Sequence, residues 1–219
     1  MIDTKEARAR ILGRIRHAQH RGAQGTAAER EDIKAYLEAH PRGPQQTAAT
    51  DMLAQFMAAA ARMSSTLERL SDADEVPAAV ARYLASHNVA LKVIVNEEVA
   101  ALPWSSAGVA AEQRLIEDAD LTAVGGVFAA IADTGTLAFL SSPGTPASNN
   151  LLPENHIVVV RENQLVAAME DVFDRIRTER GSLPRALNFV SGPSRTGDIE
   201  QTIVLGAHGP YRVHILLLS

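Results

Sequence analysis

From Asp74 onward the chain alternates short aliphatic runs with stretches of helical period, and this alternation constrains the fold more than any other feature. Helical spacing over residues 76–86 is followed by a strand-like run at 89–95 and polar chain through Trp104. Apolar runs then come at 115–117 and 121–124, with 127–132 readable as helix or strand. Residues 137–140 and 157–160 read as strands, 164–179 as a helix, and 186–190 and 213–218 as strands. Aliphatic runs set between helices are buried on both faces, the arrangement of a mostly parallel sheet flanked by helices, so the expected fold class is α/β.

The first third reads differently. Ala7, Ile11, Ile15 and Ala18 share one helix face, while Arg8, Arg10, Arg14, Arg16 and Arg21 cover the rest. That basic face could dock an acidic partner or simply be solvated, with arginine stems lying over apolar surface. Residues 22–50 are polar and interrupted by Pro41, Gly43 and Pro44, around a short helix at 28–39. Met52, Phe56, Ala59, Met63 and Leu67 predict a helix over 51–70 with its methionines in the core. The expected organisation is a helical N-terminal extension over 1–75 and an α/β domain over 76–219.

Composition narrows the function. A net charge of −5 and 4% aromatic residues argue against a nucleic-acid partner. There are no cysteines, which removes disulfides, thiolate nucleophiles and Cys-ligated clusters, so any redox centre must be borrowed or belong to a partner. The N-terminal residues lack the apolar core of a secretory signal. No apolar run approaches the roughly 20 residues of a membrane span. The expectation is a cytoplasmic protein.

Chemistry concentrates near the C-terminus. The stretch 191–200 reads Ser-Gly-Pro-Ser-Arg-Thr-Gly-Asp-Ile-Glu, and 206–210 reads Gly-Ala-His-Gly-Pro. Asp198 with Gln201 has the form of a helix cap, and Ser191, Ser194, Arg195 and Thr196 just upstream would form a cradle for a carboxylate or phosphate. His208, bracketed by glycines, is either a backbone-bonded structural group or a general acid/base, and His156 before the strand at 157 has a similar claim. Asp133-Thr134-Gly135 matches the aspartic-protease tripeptide, but one copy in an α/β pattern leaves two readings. One is a tight turn with Thr134 and Thr136 bonding backbone; the other is a ligand-facing turn. No metal-ligand spacing, Walker loop or Rossmann glycine motif occurs. The loop at 141–153 is long enough to wall a site.

Four motifs in order, at 131–137 (Ile-Ala-Asp-Thr-Gly-Thr-Leu), 152–156 (Leu-Pro-Glu-Asn-His), 191–200 and 206–210, resemble the lactate-utilisation domain family. Within it they are most similar to the lactate utilisation protein C family. The resemblance implies a fold akin to the glucosamine-6-phosphate deaminase, ribose-5-phosphate isomerase and CoA-transferase superfamily. It also implies a subunit of a bacterial system that oxidises L-lactate to pyruvate, with iron–sulfur clusters on partner subunits and no cofactor in this chain. In an accessory or substrate-site role, Asp133, Thr134, Gly135, Thr136, His156, Ser191, Ser194, Arg195 and Thr196 would form the binding set, with Ser194 and Arg195 holding a small carboxylate. His208, Asp198 and Glu200 are the catalytic candidates. Two alternatives remain: a stand-alone isomerase or transferase acting on a phosphosugar or CoA thioester, with Glu200 or Asp133 as its carboxylate, and a non-catalytic adaptor using the basic first helix.

Overall fold

The computed structural model describes residues 4–22, 24–44, 51–196, 204–206 and 208–219. Two compact units divide the chain between Gln45 and Gln46.

The first unit holds helices α1 (Lys5–Ala18) and α2 (Ala27–Ala39). A capping box starts α2: Glu29 N donates to Thr26 Oγ1 at 3.1 Å and Thr26 N donates to Glu29 Oε2 at 2.7 Å. Neither helix buries a residue.

The second unit is α/β. Its main sheet is entirely parallel, in the order β1 (Thr66–Leu70), β12 (Arg212–Leu218), β7 (Asn155–Arg161), β4 (Thr122–Gly126), β2 (Lys92–Val95) and β3 (Ala110–Glu112). A smaller mixed sheet runs β8 (Leu165–Val166), β5 (Ala129–Ile131), β6 (Thr136–Leu140) and β9 (Leu187–Val190). A two-stranded ribbon pairs β10 (Arg195–Thr196) with β11 (Val204–Leu205).

Strand periodicity sorts the core into layers. Ile157, Val159, Leu216 and Leu218 face helix α4 (Val76–Ser86), which contributes Val76, Val80 and Leu84. Val158, Val160, Val213, Ile215 and Leu217 face the smaller sheet, meeting Leu137 and Phe139 together with Phe56 and Ala60 of α3 (Met52–Arg62). The outer face of the smaller sheet, through Ile131 and Ala138, packs on Val172 and Ile176 of α6 (Met169–Arg180). The short α5 (Ala147–Leu151) lies within the stretch expected to be loop at 141–153.

The helix expected over 51–70 is two elements. Asp51 caps α3 by accepting from Ala54 N at 2.9 Å, and the helix ends at Arg62. Ser64 then takes a left-handed φ of 67°, and residues 66–70 become the edge strand β1 paired with β12. The run Ser64, Ser65, Thr66 supplies the reason, because short hydroxyl side chains compete for backbone bonds and stop a helix. α3 and β1 therefore join the α/β unit, whereas the expected extension reached residue 75. Met52 and Met63 are each 38% exposed, not core. The helix expected over 164–179 starts at Met169, where Asp171 accepts from Ala168 N at 2.8 Å, and β8 occupies the residues before it.

Candidate functional site

Because the main sheet is parallel, the chain enters β1, β7 and β12 along one edge. Loops holding most of the sequence motifs gather there. Asp133-Thr134-Gly135 is a tight turn between β5 and β6, closed by Gly135 N donating to Ile131 O at 2.9 Å. Gly135 has φ of 66°, and a Cβ there would lie 2.3 Å from Ala60 N, so only glycine lets the turn seat against α3. Thr134 Oγ1 and Thr136 Oγ1 lie 2.7 Å apart, and Thr136 Oγ1 lies 2.7 Å from Ser191 Oγ. The turn thus shares a chain of hydroxyls with the start of the 191–200 motif. Asp133 Oδ1 is buried without a hydrogen-bond partner.

The two glycine-rich motifs also meet. Ser194 N donates to Pro210 O at 2.9 Å and Gly206 N donates to Ser194 O at 3.0 Å. A Cβ on Gly209 would come within 3.2 Å of Ser194 Cβ. Arg195 and Thr196 form β10, and the Arg195 guanidinium donates to Ser64 Oγ just beyond α3. His208 is exposed. Asp198 and Glu200 lie outside the described residues, as does the helix start expected there.

Arg195 lines a cleft of about 490 Å³ with Ser64, Thr66, Tyr83, His87, Tyr211 and Arg212, among others. Arg212 donates to Asn155 Oδ1 at 3.2 Å, and its guanidinium carbon sits 4.7 Å from the Tyr211 ring centroid. Two guanidiniums with hydroxyls beside them suit a small anion, since charge-assisted hydrogen bonds to a carboxylate are the strong ones. Burial raises the Tyr83 phenol above its ordinary pKa, against the opposing pull of the Thr66 hydroxyl and the Arg212 charge.

Behind this cleft lies a histidine that the sequence reading did not single out. His214 is 4% exposed, its Nδ1 is 2.8 Å from Thr66 Oγ1, and its ring stacks on Tyr83 with centroids 4.0 Å apart. Its Nε2 is 4.0 Å from Glu68 Oε2. Burial lowers its pKa to about 4, although Glu68 pulls the other way. The signal available in the sequence was the polar residue interrupting the run Val213 to Leu218, on the strand beside the motif loops.

His156, expected among the substrate-binding residues, sits instead between the two sheets. It is 1% exposed and 5.2 Å from the Phe139 ring, with both ring nitrogens unpartnered. Burial lowers its pKa to about 3, so the ring is neutral at ordinary pH.

A second cleft, of about 470 Å³, opens at the opposite edge, beyond the ends of β2 and β4. There the chain leaves β2 for edge strand β3 and returns to β4 on its other side, a topological switch point. Glu97, Glu98, Ser142, Thr145, Asn150 and Arg175 are in its lining. A buried amide cluster supports it: Asn149 Nδ2 donates to Asn96 Oδ1 at 3.0 Å and Asn96 Nδ2 to Asn150 Oδ1 at 3.2 Å. Partial burial raises the pKa of Glu98, against backbone hydrogen bonds from Glu98 itself and Gly126 that lower it. The sequence signal for this cleft was an Asn-Glu-Glu triplet directly after an aliphatic strand.

The fold and its two clefts define an α/β protein built on a parallel sheet, with one cleft at each of two edges. Residues 53–218 match the LUD domain, and the chain belongs to the LUD domain family. It is similar to Lactate utilization protein C of Shouchella clausii, with 41% identity over 111 residues, covering 49% of this chain and 48% of that protein. Lactate utilization protein C of Bacillus subtilis is 34% identical over 109 residues, covering 48% of this chain and 45% of that protein. The chain thus spans about half the length of the curated relatives it matches. A crystal structure of a DUF162 family protein from Deinococcus radiodurans is similar at a TM-score of 0.59 and 26% identity, over 77% of this chain and 96% of that one. Among the described residues no helix is long and apolar enough to cross a membrane.

Proposed function

We propose that this chain is a subunit of a bacterial system oxidising L-lactate to pyruvate, and that its cationic cleft holds the substrate carboxylate. The observation that carries this reading is the convergence of Arg195 and Arg212 on one cleft with the Ser64, Thr66 and Tyr83 hydroxyls. Similarity to proteins named Lactate utilization protein C supports the choice of substrate. With no cysteine to ligate a cluster, the chain leaves electron transfer to iron–sulfur partner subunits. Its own part is to bind and orient the 2-hydroxy acid.

Calorimetric titration of L-lactate into the purified chain tests this. Wild type should bind, and Arg195→Ala should weaken binding about tenfold or more, the loss of one charge-assisted contact. Equal affinity in the two proteins would remove the assignment.

A second reading is favoured by one observation, the raised pKa of Glu98 at the switch-point cleft. It makes the chain an independent enzyme that moves a proton or acyl group on a phosphosugar or CoA thioester. Sugar-phosphate or CoA binding that survives Arg195→Ala and disappears in Glu98→Gln would replace the first reading with this one.

A further inference from the structure

A 2-hydroxy acid offers a cleft two handles, a carboxylate and a hydroxyl. The arginines account for the first. The second has a candidate partner in Thr66, which is exposed, lines the cleft, and is the parallel-sheet register partner of His214. Thr66 Oγ1 is 2.8 Å from His214 Nδ1, and the imidazole behind it is 4% exposed. A ligand therefore meets the hydroxyl, and meets the imidazole only through it.

The His214 ring is enclosed on its other sides. Nε2 is buried without a hydrogen-bond partner, and the nearest charge it faces is the Glu68 carboxylate at 4.0 Å. The direction of the hydrogen bond between Nδ1 and the Thr66 hydroxyl follows the ring's tautomer, and the Thr66 hydroxyl also bonds the Tyr83 phenol. Glu68 is itself held by Arg82 at 2.5 Å. The other groups facing the ring are Tyr83, stacked at an interplanar angle of 13°, and His87 one helical turn on, whose ring is 4.4 Å from that of Tyr83. Arg212 is two residues before His214 on the same strand and so shares its face. Burial outweighs the Glu68 charge, so the ring stays neutral at ordinary pH.

We propose that Thr66, positioned by its hydrogen bond to His214, binds the hydroxyl of a 2-hydroxycarboxylate held in the cationic cleft. This rests on the carboxylate reading above. Thr66 touches the substrate, and His214 is a positioning residue that acts through it.

The test compares L-lactate with propionate, which has the carboxylate and lacks the hydroxyl, in calorimetry on wild type, Thr66→Val, Thr66→Ser and Arg195→Ala. The His214 ring is followed by NMR through a pH titration of the full chain, with and without L-lactate. Wild type should prefer L-lactate by about fivefold or more, the size of one neutral hydrogen bond. Thr66→Val should erase the preference by weakening L-lactate alone, and Thr66→Ser should keep it. L-lactate should raise the His214 midpoint in wild type and leave it unmoved in Thr66→Val. A preference unchanged in Thr66→Val, or a His214 ring indifferent to L-lactate, overturns the Thr66 contact while Arg195-dependent binding still stands. If Arg195→Ala binds L-lactate like wild type yet Thr66→Val loses the preference, the carboxylate assignment falls and the hydroxyl contact stands. A wild type that binds neither acid removes both.

Discussion

Each face of the main sheet buries one histidine, on neighbouring strands, and the two have opposite characters. His156 on β7 points toward the smaller sheet, with neither ring nitrogen partnered. His214 on β12 points toward α4, bonded to a cleft hydroxyl and close to a carboxylate. Their backbones lie one register step apart, since His156 is opposite Val213 and His214 is opposite Ile157. A one-residue offset in a period-two element puts one ring in a dry interface and the other behind a cleft. Position in a strand, not nearness to a motif, decides which histidine borders the cleft.

The strongest way to break this comparison is to open the closed face. Gly135→Val would push a side chain into the α3 backbone from a left-handed turn, so it should cost about 3 kcal/mol or more in urea unfolding. A loss below about 1 kcal/mol would mean that the turn does not seat α3 as described. Acid unfolding sharpens the comparison next. Both histidines have folded-state pKa values below the ordinary 6.5, at about 3 and about 4, so the unfolded chain binds protons that the folded chain refuses. Their stability contribution is complete above pH 6.5 and is lost as pH falls toward those folded values. Each should account for about 2 kcal/mol of lost stability between pH 7 and pH 5.

His156→Leu separates the two. Replacing an unpartnered buried imidazole by an aliphatic side chain should change stability at pH 7 by less than about 1.5 kcal/mol, remove its share of the acid sensitivity, and leave L-lactate binding intact. Weakened L-lactate binding in this variant would contradict a purely packing role. The smallest expected effect is that of Glu68→Gln. Removing the charge that opposes desolvation should lower the His214 midpoint by a fraction of a unit, read by NMR, and a rise would reverse the assigned direction.

The α/β class was legible because buried parallel strands leave aliphatic runs such as Ile157 to Val160, whose character survives any tertiary detail. The break after Arg62 was less legible: Leu67 continues the helical spacing, and only Ser64, Ser65 and Thr66 oppose it. The motif loops meet along one edge, and Gly135 and Gly209 sit where backbones approach closely. Arg195 was found in this way. Its cleft partners Thr66, Tyr83 and Arg212 were not, since they come from β1, α4 and β12, which only the strand order brings together. Glu97 and Glu98 were missed for the same reason. Their meaning depends on β4 returning beside β2.

The most direct test of the account is a crystal structure of the full chain soaked with L-lactate near neutral pH. The account predicts the carboxylate on Arg195 and Arg212, with the hydroxyl within hydrogen-bonding distance of Thr66. L-lactate seated instead beside Glu97 and Glu98, with the Arg195 to Ser64 contact undisturbed, would contradict it.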